Sequence, residues 1–233
     1  MEQRARVIAE NLARVRDRMS QAARRAGRDP ATVTLVAVTK YVDAAIARLV
    51  SEAGCVDLGE SRPQALWRKN EELADLPIRW HLIGHLQRNK VGRTIDSTAL
   101  IHSIDRLELL EEIERRAPVT PVEALIEINV SGDASKHGLA PEVAESFLLE
   151  AGRFRSTRIR GLMTMAAREG DLQVARENFS ALRGLRDRLA RNCPAPARLD
   201  ELSMGMSGDF EVAIEEGATI VRIGSAIFEG LSE

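Results

Sequence analysis

Lys40 closes the run Thr34-Leu-Val-Ala-Val-Thr39-Lys40, an apolar stretch that ends in a primary amine. A strand of that composition reads as buried on both faces, as strands of parallel sheets are. Its terminal lysine must then emerge at the carboxyl rim, where parallel α/β folds place their chemistry. A partly desolvated amine at such a rim has a lowered pKa and can form a Schiff base with an aldehyde. The alternative is a rim lysine that pairs with a carboxylate and does nothing further.

Two later segments read as an anion site. Ser203-Met204-Gly205-Met206-Ser207 places hydroxyls and a glycine just before a helix start at Asp209. Ser207 is a natural N-cap there, and the N–H groups exposed at a helix start favour phosphate. Gly224-Ser225 offers a second set of backbone donors after the last strand-like run. Taken singly, Ser207 and Ser225 are ordinary helix caps. Arg222, two residues before that turn, sits in a strand that should be apolar, and a charge buried alone is costly. Glu60 or Asp200 would serve as its partner. So would the ring nitrogen of a heterocyclic phosphate, which the arginine would keep unprotonated. An amine, a phosphate cradle and an arginine on one rim together suggest pyridoxal 5′-phosphate (PLP).

His81 and His85 stand four apart, a spacing that holds a metal on a helix. Gly84 interrupts the stretch, His81 reads as strand and no third ligand presents itself, so a metal site is not expected. His81 is expected to hydrogen-bond within the fold, with a place beside the cofactor as the alternative.

The elements that must position these residues alternate. Residues 2–26 carry Val7, Ile8, Leu12, Val15 and Met19 at helical spacing and stop at Gly27. Eight strand-like runs follow: Val33–Thr39, Val56–Gly59, Arg79–Ile83, Leu100–Ile104, Ala124–Val130, Ile159–Met165, Leu199–Met204 and Ile220–Ile223. Helical patterns lie between them at 43–53, 63–74, 86–94, 106–116, 141–152, 171–192 and 208–216, with a short one after Ser225. Strands alternating with helices imply βαβ units and a parallel sheet. Eight units predict an α/β fold of the TIM type, a (β/α)8 barrel with an additional N-terminal helix, in one domain over residues 1–233. A doubly wound open sheet would announce itself with a glycine-rich first turn, and here that turn is Thr39-Lys40-Tyr41. Barrels often bind phosphate between the loops of strands seven and eight, which is where Ser207 and Gly224-Ser225 fall.

Composition narrows the classes. The 233 residues carry 33 basic and 35 acidic side chains, interspersed, so no basic excess marks a nucleic-acid partner. The amino terminus lacks the apolar core of a signal peptide, and no apolar run is long enough for a membrane span. Cys55 and Cys193 fit no metal or disulfide spacing, which suggests a reducing, cytoplasmic setting.

Taken together, these residues resemble the pyridoxal-phosphate homeostasis protein family, single-domain relatives of the alanine-racemase barrel. The resemblance covers essentially the whole chain. It is carried by Leu-Val-Ala-Val-Thr-Lys40, Leu-Gly-Glu60, Trp80-His-Leu-Ile-Gly84 with Leu86-Gln87-Arg-Asn89-Lys90, and His102-Ser-Ile-Asp105. Ile128-Asn-Val with Ser135-Lys136-x-Gly138, Arg160-Gly-Leu-Met163, Leu202-Ser-Met-Gly-Met-Ser207 and Val221-Arg-Ile-Gly-Ser-Ala-Ile-Phe228 complete it.

The resemblance implies that Lys40 carries PLP as a Schiff base and that Arg222 faces the pyridine nitrogen. It implies phosphate contacts from Ser207, Gly224 and Ser225, with Met204 and Gly205 in the same segments, and it brings Ser61 and His81 into the candidate site. It implies a monomer that binds PLP without evident turnover, keeps vitamin B6 and amino-acid pools in balance, and has PLP-dependent apoenzymes as possible partners. An amino-acid racemase is the alternative. Racemization needs two opposed bases, and racemases of this fold draw the second, a tyrosine, from another domain. The one tyrosine here, Tyr41, adjoins the lysine. Two departures stand out. Ser61 replaces an asparagine whose contacts it cannot reproduce, and His85 stands where many relatives have proline.

Overall fold

In a computed structural model, residues 1–116, 119–133, 136–167, 171–192 and 197–231 are described. Ser135 and Cys193 lie outside the described residues. Helix α1 (Glu2–Arg25) precedes strand β1 (Thr34–Val38), and a regular alternation follows. It runs α2 (Ala44–Glu52), β2 (Asp57–Glu60), α3 (Pro63–Glu72), β3 (Arg79–Leu82), α4 (Val91–Ile95), β4 (Leu100–Ile104), α5 (Leu107–Arg116) and β5 (Val122–Glu127). Then come α6 (Ala144–Ala151), β6 (Thr157–Met163), α7 (Leu172–Ala190), β7 (Glu201–Ser203), α8 (Phe210–Glu215), β8 (Ile220–Ile223) and α9 (Ser225–Phe228). The strands are parallel and close as β1-β2-β3-β4-β5-β6-β7-β8, with β8 back against β1. This is the expected (β/α)8 barrel.

The boundaries differ where side chains compete for the backbone. β5 ends at Glu127, short of the expected Val130, because the chain turns there. Asn129 Nδ2 donates to the Asp133 carbonyl at 2.8 Å, and Asn129 N–H bonds the Leu139 carbonyl rather than the next strand. The expected helix over 86–94 is a 3-10 turn, Arg88–Lys90, followed by the short α4.

Apolar side chains fill two layers. One lies between the strands and the helices and includes Leu58, Leu82, Ile101, Ile126, Leu162 and Val221. The other is inside the barrel, formed by Val36, Leu100, Leu125, Met163 and Ile220. The interior is not wholly apolar, since His81 on β3, His102 on β4, Ser203 on β7 and Arg222 on β8 are also buried.

Helix α1 adds to the outer layer of helices. Its apolar stripe, Ile8, Leu12, Val15, Met19, Ala22 and Ala23, is buried, and the helix packs on α2, α8 and α9. One polar residue interrupts the stripe. Asn11 Nδ2 donates to the carbonyls of Ile227 and Glu229, both at 2.9 Å, satisfying acceptors at the end of α9. Asn11→Ala leaves those carbonyls unpartnered and should cost about 1–3 kcal/mol of unfolding free energy. Urea denaturation measures it, and a loss below about 0.5 kcal/mol would mean the contact is immaterial.

Candidate functional site

Loops at the carboxyl ends of the strands enclose a cavity of about 630 Å³, within the roughly 300–1,000 Å³ typical of small-molecule sites. Lys40, Ser61, Ser207, Arg222, Gly224 and Ser225 all line it, with Val38, Ile83, Met165 and Phe228 as apolar walls. The rim therefore brings together six of the residues singled out from the sequence.

Lys40 stands two residues past the end of β1. It is exposed, and its ammonium lies 4.8 Å from the centre of the Tyr41 ring. The expected partial desolvation is thus not found, because the side chain leaves the strand into an open rim. Among the described residues it makes no ion pair. Its backbone is held from beneath by a feature the sequence reading missed. Lys69, on α3 and 1% exposed, donates to the Thr39 carbonyl at 2.8 Å and to Glu60 Oε1 at 2.5 Å. Thr39 Oγ1 donates to the same carboxylate oxygen at 2.6 Å. The signal was present: Leu66 and Lys69 share the buried face of α3, with Leu73 buried just past its end, and a lysine on an apolar stripe must have a buried partner.

Glu60, so engaged, is not the partner of Arg222, and neither is Asp200. Arg222 is buried and donates to Ser203 Oγ and, at 2.8 Å, to the Thr164 carbonyl. Burial draws its guanidinium down to about 10, with Glu127 and Asp209 opposing, so it stays charged at neutral pH.

Ser207 does not cap α8 as expected. That helix starts after Asp209, whose carboxylate accepts from the Met206 N–H at 2.6 Å. Instead Ser207 Oγ reaches across to the next loop and accepts from the N–H groups of Gly224 (3.3 Å) and Ala226 (3.4 Å). The loops after β7 and β8 thus meet at a set of N–H donors with a hydroxyl among them. Gly224 makes room for this: a Cβ there would come within 3.3 Å of the Val38 carbonyl oxygen.

Three expected site residues lie elsewhere. Met204 is buried in the layer under the helices. Gly205 is backbone support: its φ is +95°, and a Cβ would approach the Ala213 Cβ to 2.5 Å. His81 sits deep in the barrel, bonded to Asp57 and His102, and borders a separate cavity at the amino-terminal mouth. That bears out hydrogen bonding within the fold and removes His81 from the cofactor rim. His85, its former metal-pair candidate, is on the rim, stacked on His137 at 4.6 Å with Asp105 Oδ2 3.7 Å from its Nδ1. Arg106 donates to Asp105 beside them.

Glu127, at the end of β5, is a further cavity residue that the sequence reading passed over. Burial, reinforced by the charge of Asp105 and opposed by Arg222, pushes its pKa up to about 7. The unfolded value is near 4.5, so between those two pH values the folded state holds a proton that the unfolded state has lost. Stability from this group is full below about pH 4.5 and declines as pH rises through 7. Glu127→Gln should therefore stabilise the cofactor-free protein at about pH 8, by on the order of 2–3 kcal/mol, and far less at about pH 5. Urea denaturation at the two pH values checks this; equal gains at both would contradict it.

The alanine racemase N-terminal domain family model matches residues 10–232. Over 223 residues the chain is 42% identical to the pyridoxal phosphate homeostasis protein of Pseudomonas aeruginosa, covering 95% of this chain and 94% of that one. The chain belongs to the pyridoxal phosphate homeostasis protein family. The homeostasis protein of Aquifex aeolicus is 41% identical over 221 residues, covering 94% of this chain and 96% of that one. PipY of Synechococcus elongatus, solved with PLP bound, aligns with a TM-score of 0.84 and 33% identity over 95% of this chain and 99% of that one. No helix among the described residues of this homeostasis-protein family member is long and apolar enough to cross a membrane.

Proposed function

We propose that the chain binds PLP in the carboxyl-rim cavity, tethered as a Schiff base on Lys40, and takes part in intracellular PLP and amino-acid homeostasis without substrate turnover. The observation that carries this is the meeting, in one cavity, of Lys40, Arg222 and the loop residues Ser207, Gly224 and Ser225. The site fits the group. Its N–H donors and serine hydroxyls suit a phosphate, its apolar walls suit a flat ring, and its one exposed amine can capture an aldehyde.

PLP supplies an aldehyde and, when its ring nitrogen is protonated, an electron sink. Lys40 would hold the aldehyde carbon. Ser207, Ser225 and the Gly224 backbone would hold the phosphate end. Arg222, charged at neutral pH, would disfavour a proton on a ring nitrogen that it faced. That arrangement favours holding the cofactor over using it. A monomer whose tether is reversible can then give PLP up to PLP-dependent apoenzymes.

One observation favours the racemase reading instead: Glu127 lies in the cavity with a pKa near neutrality, suited to a general base. Exchange of the α-hydrogen of common amino acids for solvent deuterium separates the two. No exchange above a cofactor-only control is expected, and rapid exchange would establish turnover. For binding itself, the protein incubated with PLP should show a visible absorbance that borohydride fixes to the Lys40 peptide. Protein that stays colourless would overturn the proposal.

A further inference from the structure

The barrel interior holds a second feature, a line of hydrogen bonds from one mouth to the other. Asp57 Oδ1 on β2 lies 2.9 Å from His81 Nε2 on β3, and His81 Nδ1 lies 2.9 Å from His102 Nε2 on β4. His102 Nδ1 lies 2.8 Å from Ser203 Oγ on β7, which in turn accepts from Arg222 Nη1 on β8. The step from β4 to β7 joins strands that are not neighbours, so the line crosses the interior. All five side chains are buried, and Arg79 closes the far end by donating to Asp57 Oδ2 at 2.6 Å.

The direction of this line follows from what each group can do. Arginine only donates, so Ser203 Oγ must accept from it. The serine hydroxyl then has His102 Nδ1 as its acceptor, which must carry no proton. A neutral His102 therefore has its proton on Nε2 and donates to His81 Nδ1. His81 is left with its proton on Nε2, aimed at Asp57. Reversing the line would strand the Ser203 hydroxyl without an acceptor in a buried site. Charge agrees with this order. Burial works against the Asp57 carboxylate, but hydrogen bonds from His81 and Arg79 outweigh it and hold its pKa below the ordinary value. Burial, with the Arg222 charge contributing, holds His102 well below the ordinary histidine range.

We propose that Asp57, His81, His102 and Ser203 form a polarised positioning relay, in which His102 acts through Ser203 to fix the Arg222 guanidinium in the cavity. The Glu127 and Asp209 carboxylates nearby favour the charge of Arg222, so the part of the relay is to orient the guanidinium and not to neutralise it. None of these four residues lines the cofactor cavity; each acts through the next. Only the final consequence, a guanidinium aimed at the ring of PLP, rests on the functional reading above.

Nitrogen-15 NMR of the cofactor-free full chain tests the relay directly. His81 and His102 should both appear as neutral rings with the proton on Nε2, and the Nη protons of Arg222 should be resolved by hindered rotation. Ser203→Ala should average the Arg222 signals and shift those of His102. His102→Asn, whose amide oxygen replaces Nδ1, should preserve the resolved Arg222 signals, whereas His102→Leu should lose them. A proton on Nδ1 of either ring, an imidazolium, or Arg222 signals indifferent to Ser203→Ala would overturn the relay. In PLP-loaded protein, Ser203→Ala should make the visible absorbance depend on pH where the unmodified protein does not, and an identical profile would refute the positioning role. Protein with the expected NMR signals that never takes up PLP would instead refute the functional reading and leave the relay standing.

Discussion

Glu60→Ala should lower the unfolding free energy by about 3–5 kcal/mol, the usual cost of breaking a buried ion pair from one side. Glu60 and Lys69 are 0% and 1% exposed, and the alanine leaves an ammonium with only the Thr39 carbonyl to hold it. Lys69→Met should cost a similar amount, because it strands the carboxylate with only the Thr39 hydroxyl. The double variant Glu60→Ala/Lys69→Met removes both charges, and its loss should be clearly smaller than the sum of the two single losses. Urea denaturation of the four proteins forms the cycle. Single losses below about 1 kcal/mol would show that water reaches the pair. The effect should extend to the site, since the Thr39 carbonyl that Lys69 grips immediately precedes Lys40. Among single variants that keep the fold, Lys69→Met should slow the capture of PLP while leaving the N–H cradle between Ser207 and Gly224 as it is.

Lys40→Ala is the second large effect, and it should fall on binding alone. With the amine gone, the visible absorbance and the borohydride-stable adduct should both vanish, whereas a phosphorylated pyridoxine analogue, which has no aldehyde, should bind about as well as before. Stability should move by no more than about 0.5 kcal/mol, because Lys40 is exposed and makes no ion pair among the described residues. Lys40→Arg keeps the charge but cannot form the tether, so it should resemble alanine in absorbance. Retention of a borohydride-stable adduct in either variant would place the tether on another lysine. Comparing the two experiments separates the tether from its support: one removes the amine and spares the fold, the other loosens the ground beneath it.

The barrel was legible because short, mostly apolar runs alternate with helical patterns along the chain, and all eight strands were placed within a few residues. Lys40, Arg222 and the Ser207 and Gly224-Ser225 segments were legible for a related reason. Each is a polar or permissive residue at the end of such a run, where a barrel gathers its loops. What could not be read was pairing across the ring. Nothing in the spacing of His102 and Ser203, 101 residues apart, says that closure brings them within 2.8 Å. Ser207 shows the same limit. Its serine type and its place before Asp209 suggested a local cap, but its partners are on the neighbouring loop. Arg222 was seen to need a partner, and carboxylates were the obvious candidates. The protein instead bonds it to a carbonyl and a hydroxyl, with the Glu127 and Asp209 carboxylates near enough to favour its charge.

The grip of Asn11 on the Ile227 carbonyl spans 216 residues, and the Gly224 and Ala226 N–H groups that meet Ser207 lie just before Ile227 in the chain. Lys40 is therefore synthesised well before the loops that line the cavity with it. Contacts of such sequence separation are the slowest to form. Helix α1 cannot make this contact until α9 has been synthesised, so the wall of the cavity after β8 is anchored only when two segments far apart in sequence dock.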